Sequence, residues 1–209
     1  MDIRWLGRIA FEEALALQED IRVRIHSGEA PETFLLLEHD PVYTIGRTQD
    51  RSSLREQAHL PHPVVEINRG GQATYHGPGQ LVGYALFDLR LRGKDLHKHL
   101  RSLEELLITF LSHYKVRAIR RQGLTGAWVE ERKIASIGVG VRQWVTMHGF
   151  ALNIAADLSG FTSITPCGIA GVEMTSLSRE TGMDHTVEEA AHRLEEILRT
   201  KQCHFIEPD

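Results

Sequence analysis

Apolar residues recur at helical spacing in three stretches of the chain. In FEEALALQEDIRVRI, residues 11–25, Phe11, Ala14, Leu15, Gln18, Ile21 and Ile25 fall near one stripe and predict a surface helix. From Asp95, the segment DLHKHLRSLEELLITFLSHY places Leu96, Leu100, Leu103, Leu107, Phe110 and Tyr114 three and four residues apart, which predicts a long amphipathic helix. TVEEAAHRLEEILRTKQ opens with Thr186 three residues before Glu189, a capping-box pattern, and predicts the last helix.

Between the helices the pattern changes to short apolar runs. TFLLLEH (33–39) and PVYTIG (41–46) flank Asp40-Pro41 and read as two strand segments separated by a bend. QDRSSLREQAHLPHP (49–63) is polar and uneven, a loop. VVEIN (64–68) and QLVGYALFDL (80–89) read as strands on either side of a glycine cluster. GAWVEERKIASIGVGVRQWVTMHGFALNI (126–154) has Val, Ile, Trp and Gly without a helical period, and predicts a strand meander with a turn near Glu130-Glu131. EMTSLSRE (173–180) looks helical. Strands and helices mix without regular alternation, so the expected fold is α/β of the α+β type, with a mixed, largely antiparallel central sheet flanked by helices.

Composition narrows the classes. With 209 residues and 42% apolar content, the chain can fill one core, and a single domain over 1–209 is expected. A net charge of −4 supplies no global basic field for a polyanion, so nucleic acid is not an expected partner. No apolar run reaches the roughly 20 residues of a membrane span, and the first residues carry acids where a signal peptide needs an apolar centre. The expected setting is cytoplasmic, away from membranes. Two cysteines, Cys167 and Cys203, are too few for a disulfide framework and fit a reducing compartment.

The glycine cluster RGGQATYHGPGQLVGY (69–84) carries five glycines in sixteen positions. It reads either as two successive turns or as a place where something lies close to the backbone. It contains neither GxxxxGK[ST] nor a GxGxxG opening a helix, which leaves a phosphate cradle without support. The twelve histidines include two close pairs, His97 with His99 and His59 with His62. Neither pair has a second ligand cluster and HEXXH is absent, so no metal or other cofactor is expected; His97 and His99 read as a solvated helix face.

Two residues stand out chemically. Cys203, near the chain end, reads as a structural or idle thiol. Cys167 lies in SITPCGIAGVEMTSL between proline and glycine, where a loop thiol can be accessible and backbone N–H groups can aim at a developing oxyanion. Only five lysines stand against nineteen arginines, and Lys94, Lys98, Lys115 and Lys201 fall in turns, on a polar helix face or near the end. Lys133 instead opens KIASIGVGV beside small residues. A lysine at a strand end usually reaches solvent, but its compact charge also suits proton transfer in a way that arginine's does not.

LEHDPVYTIGR (37–47), the glycine cluster, GAWVEERKIASIGV (126–139), HGFALNI (148–154) and TPCGI (165–169), in this order and spacing, resemble the lipoyl(octanoyl) transferases over about residues 4–200. The resemblance implies the catalytic-domain fold of lipoate and biotin protein ligases and an acyltransferase. The group moved would be octanoyl or lipoyl, the donor an octanoyl-acyl carrier protein, and the acceptor a lysine of lipoyl domains of 2-oxoacid dehydrogenase E2 subunits or of glycine-cleavage H protein. It implies Cys167 as thioester-forming nucleophile and Lys133 as its acid/base partner, without a cofactor. Substrate-binding residues carried over are Arg69, Gly70, Gly71, Gln72, Ala73, Thr74, Tyr75 and His76, then Ser136, Ile137 and Gly138, then Gly149, Phe150 and Ala151.

On this reading the glycines at 70, 71, 77 and 79 clear a tunnel wall for the acyl chain, with Ala135, Gly138 and Gly140 keeping the facing strand low. Burying about seven methylenes at roughly 0.8 kcal/mol each would contribute on the order of 5 kcal/mol to chain-length selection. His76 is a candidate for orienting a proton or a carbonyl. Arg4, Arg8, Arg47, Arg69 and Arg142 are candidates for docking acidic partners. Three other classes stay open: an ATP-dependent lipoate or biotin ligase, a cysteine acyl hydrolase, and a non-catalytic lipoyl-domain binder.

Overall fold

The computed structural model of the protein describes residues 1–47, 51–54, 60–155 and 157–200. Cys203, Lys201 and His59, named above, lie outside the described residues. The elements are β1 (Asp2–Ile9), α1 (Phe11–His26), β2 (Thr33–His39), β3 (Val42–Ile45), β4 (Val64–Glu66), β5 (Thr74–His76), β6 (Gln80–Leu86), α2 (Leu96–His113), β7 (Ile119–Arg121), β8 (Leu124–Val129), β9 (Arg132–Arg142), β10 (Val145–Asn153), β11 (Glu173–Met174), α3 (Leu177–Thr181) and α4 (Val187–Arg199).

The main sheet has eight strands in the order β1-β2-β6-β10-β9-β8-β7, with β11 added beside β9. Among the described residues of this sheet, only the β1–β2 and β9–β11 pairs are parallel. A second sheet of three strands, β4-β3-β5, sits apart from it. Asp40-Pro41 therefore separates strands that belong to two different sheets. The mixed, mainly antiparallel arrangement expected from the sequence is the one observed.

Alternation along the strands explains the layers. Leu35, Leu37, Val82 and Ala151 face α1, where Ala14, Ile21 and Ile25 close one core. Phe34, Leu36, Leu81, Phe150 and Leu152 face the other side, where α2 and α4 cover them with Leu103, Leu107, Phe110, Leu194 and Leu198. The Thr186–Glu189 capping box forms as expected. Asp95 caps α2 through its carboxylate on the Lys98 N–H. Leu96 and Leu100, the first members of the α2 stripe, are only partly buried; they pack against this core and also line a cavity.

Several expectations need correction. The sequence pattern does not announce β1, because its burial does not alternate and Gly7, at φ +65°, breaks its pairing register. A short strand, β5, forms inside the glycine cluster, which is thus more than a loop between two strands. The strand expected over 80–89 stops at Leu86; Asp88 caps a 3-10 turn over Leu89–Leu91. EMTSLSRE begins as strand β11 before α3. His97 is exposed but His99 is buried against the Phe87 ring, so the two do not share a solvated face.

Burial also sets an acid limit on stability. It holds the rings of His99 and His148 down to about 4 and that of His76 to about 3, each with help from a nearby positive or ionisable group. These values lie below the ordinary 6.5. The unfolded chain therefore takes up protons that the folded chain refuses. The stabilisation is complete above pH 6.5 and is lost as pH falls toward 4, at up to about 1.4 kcal/mol per pH unit for each ring. Urea midpoints are expected to drop steeply between pH 7 and pH 5; a flat midpoint across that range would contradict the burial of these rings as neutral groups.

Candidate active site

Lys133 and Cys167 meet at one cavity. Lys133 Nζ lies 3.3 Å from Cys167 Sγ, and Ser136 Oγ lies 3.7 Å from the same sulfur. Residues 133 and 136 are three apart and would point to opposite faces of a regular strand. A register shift resolves this. Ala127 pairs with Ala135 but Trp128 pairs with Lys133, so Ile134 is an extra residue, a bulge that returns Lys133 to the side of Ser136.

Lys133 is 2% exposed, which a strand-end lysine reaching for solvent would not be. Its ammonium lies 5.3 Å from the centre of the Trp128 ring, within range of a cation–π contact. Its carbonyl accepts from the Thr175 N–H at 3.0 Å, which ties the lysine to β11. At an effective dielectric of about 20, opposite unit charges at this nitrogen–sulfur separation attract by about 5 kcal/mol before desolvation is counted.

Cys167 is partly exposed on a 3-10 turn over Pro166–Gly168, with φ 56° and ψ 18°. That left-handed conformation is uncommon for a residue with a Cβ and costs on the order of 1 kcal/mol. Hydrogen bonds hold it: Cys167 N–H donates to the Ala73 carbonyl at 2.9 Å, Gly168 N–H to Thr165 at 2.9 Å, and Ile169 N–H to Pro166 at 3.0 Å. These three N–H groups are already engaged by carbonyls of the protein, so none of the three points at an oxyanion on Cys167.

The cavity has a volume of about 340 Å³, within the range of small-ligand sites. Arg69, Gly70, Gly71, Thr74, His76, Ser136, Ile137, Gly138, Gly149, Phe150 and Ala151 all line it with Lys133 and Cys167. Gln72, Ala73 and Tyr75 do not. Alternation along β5 accounts for part of this: Thr74 and His76 face the cavity, whereas Ala73 and Tyr75 pack with Tyr43 and Phe161 behind it. The Ala73 carbonyl still touches the site through the Cys167 N–H.

β8 pairs with β9 only as far as Ala127–Ala135, so Ser136–Gly138 present the edge of β9 to the cavity until the Gly70 N–H bonds the Val139 carbonyl at 3.1 Å. The glycine expectation is met only in part. Gly70 and Gly71 do form wall, but Gly77 and Gly79 do not. A Cβ at Gly138 would lie 2.9 Å from Arg69 Cδ, and one at Gly140 would strike the Asn68 carbonyl. Those two glycines let the protein's own 68–70 segment cross β9.

One region of the wall is polar. Arg69 is buried, donating to the Gly70 carbonyl at 2.9 Å and to Thr44 carbonyl and hydroxyl at 2.9 Å each. Burial lowers its pKa, while Cys167 and Tyr84 act in the opposite direction. His39 donates Nδ1–H to the Ile9 carbonyl, so its Nε2 accepts the Tyr84 hydroxyl at 2.7 Å. Thr74 Oγ1 and His148 Nδ1, buried on the cavity side, have no hydrogen-bond partner among the described residues.

Sequence reasoning missed Phe11, Tyr84, Leu96, Leu100, Leu124, His148 and Ile169 as wall residues. His148 and Tyr84 lie within segments already singled out, and His148 carries a positive φ of 61° that no local pattern announces. The arginines proposed for docking separate. Arg69 is buried, Arg4 and Arg8 pair with Asp2 and Asp40, Arg142 reaches Glu19 at 4.0 Å, and exposed Arg47 lines the cavity. Among the described residues no group of three or more His, Cys, Asp or Glu is placed to hold a metal, and no helix is long and apolar enough to cross a membrane.

The fold and sequence are similar to those of known proteins. The chain is 55% identical over 182 residues to an octanoyltransferase of Syntrophotalea carbinolica, covering 87% of this chain and 85% of that one. It is 55% identical over 190 residues to an octanoyltransferase of Geobacter sulfurreducens, covering 91% and 80%. Its fold resembles a lipoate-protein ligase A solved with ATP, at a TM-score of 0.73 and 16% identity over 99% of this chain and 88% of the other. A putative lipoate protein ligase from T. acidophilum with bound lipoic acid gives a TM-score of 0.70 at 16% identity, covering 97% and 86%. The family model described as the lipoyl protein ligase A/B catalytic domain matches residues 10–199, and the chain belongs to that family.

Proposed function

We propose that this protein is an octanoyltransferase of protein lipoylation, a single catalytic domain that moves an octanoyl group from an acyl carrier protein to a lysine of a lipoyl domain. The observation that carries the reading is the 3.3 Å approach of Lys133 to Cys167 on the wall of a cavity that also holds apolar side chains. The 55% identity to octanoyltransferases supports the reaction class. The ligases share the fold at 16% identity, which favours them less.

In the first half-reaction the Cys167 thiolate attacks the carbonyl of the carrier thioester. A new thioester forms on Cys167, the carrier's C–S bond breaks, and the departing thiolate takes a proton from the Lys133 ammonium. In the second, the acceptor lysine amine attacks that thioester and gives a proton to neutral Lys133. An amide forms and the Cys167 thiolate leaves, with Lys133 again a cation. The cycle needs no nucleotide. Water exclusion by the acyl chain in the cavity keeps hydrolysis slow.

Acceptors are lipoyl domains, a pairing consistent with the solved archaeal lipoate ligase described together with its E2 lipoyl domain. Arg47, exposed at the cavity, is the candidate to meet an acidic partner first. Octanoyl carrier protein and apo lipoyl domain, mixed with this protein without ATP, are expected to yield octanoylated domain. Octanoate plus ATP should give no pyrophosphate exchange. A requirement for ATP, or release of free octanoate in place of the amide, would replace this reading with the ligase or the hydrolase.

A further inference from the structure

Gln80 and Asn153 do not line the cavity, yet each is 1% exposed and fully engaged. Their bonds form one chain. Asn153 Nδ2 donates to the Thr175 carbonyl at 2.9 Å, and Gln80 Nε2 donates to Asn153 Oδ1 at 2.9 Å and to the Tyr75 carbonyl at 3.3 Å. Gln80 Oε1 then faces His76 Nδ1 at 2.8 Å. At one end, the Thr175 N–H holds the Lys133 carbonyl. At the other, His76 Nε2 lies 3.4 Å from Thr44 Oγ1, which accepts from Arg69.

Main-chain carbonyls set the direction of the whole chain, because they can only accept. The Thr175 carbonyl requires the NH2 of Asn153, and the Tyr75 carbonyl requires the NH2 of Gln80. Asn153 therefore turns its oxygen to Gln80, and Gln80 turns its oxygen to His76, whose Nδ1 must carry a proton. Burial first, and then His39, Arg69 and His148, hold the ring neutral against the opposing pull of the Gln80 hydrogen bond, which fixes which nitrogen carries the proton. Nε2 keeps a lone pair, and the Thr44 hydroxyl, already accepting from Arg69, directs its proton there.

We propose that Gln80 and Asn153 are positioning residues for acyl transfer, locking His76 as the neutral Nδ1–H form so that Thr44 keeps Arg69 aligned in the wall of the cavity that holds Cys167. The inference rests on the reading of Cys167 as the acyl carrier. Protonation of His76 would place a second cation near Arg69 and His148 and remove the acceptor for Thr44. Among the groups that face His76, His39 is occupied by Tyr84 and Ile9, which leaves Gln80 as its hydrogen-bond partner at Nδ1.

Gln80→Glu tests this, because one carboxylate oxygen still accepts from Nδ1–H and its charge favours the imidazolium, while the NH2 that the Tyr75 carbonyl and Asn153 Oδ1 require is lost. Single-turnover acylation by Gln80→Glu should fall from pH 7 to pH 5 by about tenfold or more beyond any fall of the wild type measured alongside it. A rate lowered equally at every pH would mean a structural role and overturn the proposal. The wild-type protein gives a second test that needs no variant: long-range 1H–15N correlations of His76 should show the Nδ1–H neutral tautomer from pH 5 to pH 8. An Nε2–H ring would overturn the lock whatever Cys167 does. A wild-type Cys167 that never acquires the octanoyl group would instead remove the underlying reading.

Discussion

Cys167→Ser is expected to lose acyl-enzyme formation altogether, with overall transfer reduced by at least about 10³-fold. A serine hydroxyl fits the turn, so the Pro166–Gly168 geometry and the hydrogen bond to Ala73 survive. What changes is the nucleophile. An alkoxide is far harder to generate than a thiolate, and one neighbouring ammonium compensates for only part of that difference. Circular dichroism and the urea midpoint should match the wild type, which separates lost chemistry from lost fold. Stopped-time assays of octanoyl release from the carrier protein check the rate.

Lys133→Ala is expected to slow both half-reactions at neutral pH by about 10²- to 10⁴-fold, the usual contribution of a positioned acid/base group. The two should differ in how they recover. Without the cation 3.3 Å away, Cys167 acylation should climb with pH as hydroxide supplies the thiolate. Transfer from preformed acyl enzyme should recover only toward the acceptor lysine's own ordinary pKa, about 10.4. Rapid-quench measurement of each half-reaction across pH separates these cases. A wild-type pH profile for acylation in Lys133→Ala would mean that Lys133 does not activate the thiol.

Much of this architecture was readable from side-chain order. The stripes of α1, α2 and α4 carry their periodicity openly because each has one face against a core, and the strands around residues 33–39 and 132–153 show as apolar runs because β2 and β10 are buried on both faces. β1 was hidden because it lies at the sheet edge and breaks register at Gly7. β5 was hidden because three residues among glycines hold too little pattern to announce a strand.

The site divides in the same way. Lys133 stood out by its rarity among arginines and Cys167 by its turn residues, but the bulge at Ile134 that aims Lys133 at the sulfur is a property of strand pairing. His148, Tyr84 and Phe11 come to the cavity from three separate elements, β10, β6 and α1. No local signal joins them. The reason for Gly138 and Gly140 was likewise tertiary: the crossing of the 68–70 segment, rather than the ligand, requires the missing side chains.

Cys167 is expected to carry the acyl group as a thioester. Intact-mass analysis after mixing the wild-type protein with octanoyl carrier protein, without acceptor, tests it directly. The expected result is the added mass of one octanoyl group, mapped to the peptide containing Cys167, released by hydroxylamine and lost when apo lipoyl domain is added. An unmodified mass under conditions where the octanoylated domain accumulates, or an octanoyl group mapped to another residue, would contradict it.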